Sequence, residues 1–162
     1  MRYEKTIEFV RSEYGKGMEY ADEKALAPLI GAAEILEDFG YGLEFRVAAI
    51  LMNVLMDTEA KPDDVISLSS MEVLEAVQIM SNHNGCSPEA SMDAIKNNLL
   101  AHPVKLAEHL YSIRNSRNLT SVEKKKLLHV SEDFYLRCAQ GTLFYEPIFK
   151  ELLNMKLEME LY

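Results

Sequence analysis

Apolar side chains return every three or four positions through nearly the whole chain, and no run shows β-branched alternation between turn residues. That pattern leaves no strand to build a sheet from and predicts an all-α bundle. Glu4 to Tyr14 forms a first helix, with Ile7, Val10 and Tyr14 inward and Phe9 at the margin, ended by Gly15-Lys16-Gly17. A second begins after Asp22, carries Leu26, Leu29, Ile30, Ala33 and Leu36, and stops at Gly40. The third, Leu43 to Met56, is the most apolar and is expected at the centre.

Turn and capping chemistry sets the remaining boundaries. Pro62 opens a short helical turn through Val65, and Met71 to Met80 follows, broken at Asn82-His83-Asn84-Gly85. Ser87-Pro88-Glu89 starts a helix to Leu100, and His102-Pro103 starts another to Arg114. Thr120-Ser121-Val122-Glu123 has capping-box spacing and opens a long helix to Gln140. After Gly141, a last helix from Leu143 to Met159 carries two apolar stripes, Phe144-Ile148-Leu152-Met155 and Phe149-Leu153-Leu157-Leu161, with Pro147 tolerable only near its first turn. No repeat or linker divides the series, so residues 1–162 read as a single domain, long enough to bury one core.

Seventeen basic against twenty-six acidic side chains give a net charge of −9, which repels nucleic acid. The one basic block, Lys124-Lys125-Lys126, lies among acids on a predicted helix and reads as a solvated face. The longest apolar stretch, Val47 to Met52, is too short for a membrane. Two cysteines without a charged-then-apolar leader argue for a reducing cytoplasm; Cys86 follows a turn glycine and is expected exposed, Cys138 buried. Neither has a histidine placed to activate it, and no phosphate-binding glycine loop or serine elbow is present.

Three ordered segments resemble the HD domain of the RelA/SpoT family, which hydrolyses (p)ppGpp. Ala49-Ile50-Leu51-Met52-Asn53-Val54-Leu55-Met56-Asp57-Thr58 is similar to the family's A-L-L-H-D-x-x-E-D-T, with Met52-Asn53 at its His-Asp pair and Met56 at its Glu. Val104-Lys105-Leu106-Ala107-Glu108, continuing to Asn115, resembles V-K-L-A-D-x-x-x-N-x-R, with Glu108 at the ligand aspartate and Ser112 at the asparagine. Pro28 to Leu36 is similar to H-P-x-x-V-A-x-I-L, with Pro28, or Ala27 in a register shifted by one, at the first ligand histidine.

The resemblance implies an HD-like bundle covering most of the chain, in which two histidines and two aspartates of the enzymes grip a divalent metal that activates water. Here Asn53, Asp57 and Glu108 stand at remnant positions. A thioether, an amide and a proline ring do not supply the charge a hard cation requires, so no cofactor is expected where the family holds its metal. Met52 and Met56, one turn apart, read as core filler, and Asn53 and Asp57 as polar residues of a former metal pocket. His102 and His109 are two turns apart, on one face near Lys105 and Glu108, but lack a third ligand; His102 reads as a capping or solvent position.

The leading expectation is therefore a catalytically degenerate HD domain that regulates by binding, either a guanosine nucleotide in the remnant cleft or a protein. Arg46, Lys105, Arg114 and Asn115 are the side chains expected to line that cleft. The alternatives are an active (p)ppGpp or nucleotide phosphohydrolase with rearranged ligands, which requires Mn²⁺, and an interaction module that forms a homodimer through its C-terminal helix.

Overall fold

The structure is a computed structural model that describes residues 2–16, 22–81 and 88–160. Among these the chain is helical, with no strand. The elements are α1 (Tyr3–Gly15), α2 (Asp22–Asp38), α3 (Leu43–Leu51), α4 (Val54–Asp57), α5 (Pro62–Leu68) and α6 (Met71–Ser81). They continue as α7 (Pro88–Lys96), α8 (Ala101–Arg114), α9 (Ser121–Val130), a π-helical segment (Ser131–Tyr135), α10 (Leu136–Ala139) and α11 (Tyr145–Glu160).

The three segments of the resemblance fall on α2, on α3 and α4, and on α8. α2 makes its broadest contacts with α3 and α8, which also meet each other. The approach is close because α2 turns Gly31, Ala32 and Ala33 inward, all buried. A methyl group at Gly31 would lie 2.1 Å from Cδ2 of Tyr111 on α8, so only glycine fits there. Val47, Ala48, Ala49, Ile50 and Leu51 are fully buried, which places α3 at the centre as its composition predicts. One core cluster runs from Val10 on α1 to Met155 on α11.

Several boundaries follow the sequence closely. Gly40 takes φ +85° at the end of α2, its N–H bonding Glu37 O while Tyr41 N–H reaches Leu36 O, the paired bonds of a left-handed helix stop. Thr120 Oγ1 accepts from Glu123 N at 3.2 Å and the Glu123 carboxylate accepts from Thr120 N at 2.8 Å, so the expected capping box is complete.

Elsewhere the helices differ from expectation for identifiable reasons. The helix expected over Leu43 to Met56 breaks at Met52-Asn53: Ser81 Oγ donates to Met52 O at 3.1 Å, occupying the carbonyl an unbroken helix would offer to Met56, and Asn53 sits at φ −111°, ψ 0°. The helix from Pro88 ends at Lys96 rather than Leu100, because Asn98 Oδ1 accepts from Leu100 N and Ala101 N and caps α8 instead. The helix opened by Thr120 reaches Ala139 only by widening into the π-helical segment, and α11 begins at Tyr145, which places Pro147 in its first turn. Pro62 opens α5, which runs on to Leu68 rather than stopping at Val65. His83 and Cys86 lie outside the described residues, as does Leu161 at the end of the second C-terminal stripe.

Candidate functional site

The positions singled out by the resemblance are committed to the fold. Met52 is fully buried and Met56 is exposed, so the two methionines do not share a surface. Pro28 is half-buried inside α2, and Ala27 is exposed. Asn53 stands at the break before α4, and the Asp57 carboxylate accepts the Tyr14 hydroxyl of α1 at 2.8 Å; burial, and then this bond to Asp57, push the Tyr14 phenol up. Glu108 on α8 receives the Lys105 ammonium at 3.1 and 3.3 Å. No hydrogen bond or ion pair among the described residues joins Asn53, Asp57 and Glu108, and no three His, Cys, Asp or Glu side chains there converge as a metal would need.

The four side chains expected to line a ligand cleft separate in the same way. Arg46 pairs with Glu37 at 3.3 Å and lies 4.3 Å over the Tyr3 ring, with its buried Nε unpartnered. Lys105 is held by Glu108. Arg114 follows nine residues later, about 14 Å along the helix and on its opposite side, facing Glu151 at 3.9 Å. Asn115 Nδ2 donates to Tyr111 O at 2.8 Å and closes the end of α8.

What the structure does bring together is a buried polar cluster where α8 meets the π-helical segment and α10. Ser131 Oγ, fully buried, lies 2.6 Å from both Leu127 O and His109 Nε2. A carbonyl can only accept, so the single hydroxyl proton goes to Leu127 O and His109 must donate from Nε2. Burial, reinforced by the nearby Lys105 charge, pushes His109 down to about 3 and keeps the ring neutral. Its ring stacks on Tyr135 with centroids 3.6 Å apart.

Burial works against the Lys105 ammonium too, but the Glu108 carboxylate and Tyr135 together hold the group above its usual value. His102, half-buried and read from sequence as a cap or solvent residue, has Nε2 2.6 Å from Cys138 O and so donates to that carbonyl. Cys138 is buried, as expected, and burial pushes its thiol up to about 11.

This arrangement resembles a serine–histidine pair in composition and not in chemistry. A base must accept the serine proton, whereas His109 presents an N–H to Ser131, and no solvent reaches the hydroxyl. The cluster is a structural polar layer. It was hidden in the sequence because Ser131 and Tyr135 are 22 and 26 residues from His109 and meet it only through the π turn, a form with no periodic signature.

A second feature escaped sequence reading for the same reason. Two adjoining cavities of about 360 and 750 Å³ lie between the end of α8, the start of α9 and α11, sharing Arg117, Met155 and Glu158. Lys124 and Lys125, read as a solvated face, line the larger one. No protein-family model matches the chain and no curated protein matches it.

Proposed function

We propose that this chain is an HD-like helical module that works by binding a protein and does not hydrolyse phosphate esters. The observation that carries this reading is the commitment of the remnant residues. Met52 is sealed in the core, Asp57 is bound to Tyr14 and Glu108 to Lys105, so the groups needed to grip a metal and orient water are spent on packing and pairing. The HD-like part of the reading is supported by the mutual packing of α2, α3 and α8, the helices that carry the three resembling segments in their order.

A protein is favoured over a guanosine nucleotide in the remnant cleft. Arg46 and Lys105, two of the cations that would hold phosphates there, are already matched by Glu37 and Glu108. On α11, by contrast, Phe149, Leu153 and Leu157 recur at one-turn spacing with 43%, 45% and 58% of their surface exposed. A small apolar cleft beside them, lined by Leu136 and Leu152, continues that surface toward α10.

A second copy of the chain is the first partner to test. Light scattering on the purified chain and on Leu153→Glu should show a dimer reduced to a monomer by the substitution. A monomer in both, with no partner lost on substitution, removes self-association. Guanosine nucleotides that stabilise the chain at millimolar levels, in a manner lost in Lys105→Ala, would overturn the choice of protein over nucleotide.

Among the described residues no helix is long and apolar enough to cross a membrane.

A further inference from the structure

The groove between α8, α9 and α11 gathers positive charge on a chain that is negative overall. Arg114, Arg117, Lys124 and Lys125 line its two cavities, against a net charge of −9. Arg114 faces Glu151 at 3.9 Å, a loose pair, and among the described residues Arg117, Lys124 and Lys125 make no ion pair. The groove's four cations outnumber its two carboxylates, Glu151 and Glu158, and the three cations without an ion pair, Arg117, Lys124 and Lys125, leave an excess of positive charge that attracts an anion. Each of the two cavities, at about 360 and 750 Å³, falls within the size range of small-molecule sites.

We propose that this groove binds a compact polyphosphate group, as free inorganic polyphosphate or as the phosphate chain of a nucleotide. Two arginines offer planar forks that match phosphate oxygens in pairs, and two lysines offer point charges beside them. Ser121 adds a hydroxyl and, as the first residue of α9, an amide outside the capping box. Glu151 and Glu158 on the α11 wall stand among the cations and favour a short anion, since a long acidic chain lying along the groove would meet them. Met155 and Met159 give the same groove an apolar edge against which a nucleoside body can rest.

This site is separate from Asn53, Asp57 and Glu108 and does not rest on the function proposed above; the substitutions that test it touch none of those residues. Titration calorimetry at low salt would use sodium pyrophosphate, sodium tripolyphosphate and magnesium-free ATP, with sodium sulfate at equal ionic strength as the control. The three phosphates should bind, sulfate should bind at least about tenfold more weakly, and Arg117→Glu/Lys125→Glu should weaken the phosphates by about tenfold or more.

Lys126→Glu changes the same charge on the same helix outside the cavities and should leave binding within about twofold. Equal affinity for tripolyphosphate and ATP assigns the groove to the phosphate chain alone; tighter ATP, weakened by Met159→Ala, assigns it to a nucleotide. No binding by any phosphate, sulfate binding equal to pyrophosphate, or a double variant that binds as the parent does would overturn the proposal.

Discussion

Toward α2, α8 presents Tyr111 against a bare Gly31, with Val104 and Ala107 on the same side, and every group there is held by shape. Half a turn around the same helix, His102, Lys105 and His109 face the π-helical segment and α10, and every group there is held by a named partner. The apolar side fails when volume changes, because a close-packed interior cannot fill a void or yield to an extra methyl group. The polar side fails when one partner is removed, because the survivor keeps its desolvation cost. The residues that resemble an enzyme's fall in both kinds of surroundings, Met52 in the packed core and Glu108 beside Lys105, and do not form one site.

Substitutions should separate the two sides by size and kind of effect. Met52→Ala, at a fully buried core position, should cost about 2–5 kcal/mol in chemical denaturation, the range for emptying a core position. A loss under about 1 kcal/mol would mean that this position is loosely packed.

Acid should act on the other side. His109 is held down to about 3 in the fold and returns to its ordinary 6.5 on unfolding, so below 6.5 the unfolded chain binds the extra proton. Its contribution is complete above pH 6.5 and is lost as pH falls toward 3, on the order of a few kcal/mol. His109→Gln should flatten that part of the stability profile; an unchanged slope would show that the ring is protonated in the fold.

Gly31→Ala is expected to destabilise by about 1–3 kcal/mol through the clash with Tyr111, even though alanine favours the helix. Tyr111→Ala in the same chain should recover part of that loss, and purely additive costs would show that the two helices do not meet there. Ser131→Ala should cost about 1–2 kcal/mol by stranding the His109 N–H, and much less in a chain already carrying His109→Gln if that residue turns to another acceptor.

The sequence was most informative where chemistry is local. The Thr120 to Glu123 capping box, the stop at Gly40 and the buried stripe of α11 each depend on residues within one or two turns, so spacing reveals them. The break at Met52-Asn53 depends on Ser81, 29 residues away, and the π turn places Ser131 and Tyr135 against a histidine in another helix. Nothing in a periodic pattern encodes such meetings.

The same limit applies to function. Lys124-Lys125 looks like a solvated face along α9 and becomes a cavity wall only once α8 and α11 close around it. Arg46, Lys105, Arg114 and Asn115 look like one basic set in sequence, but Glu37, Glu108, Glu151 and the end of α8 each claim one of them.

The proposal that this chain is an HD-like module without hydrolytic activity is tested most directly by elemental mass spectrometry of the purified chain, followed by assay for pyrophosphate release from (p)ppGpp with added Mn²⁺. We expect less than about a tenth of an equivalent of transition metal and no release. Stoichiometric metal, with pyrophosphate release abolished by Glu108→Gln, would contradict the reading of Met52, Asn53, Asp57 and Glu108 as structural residues.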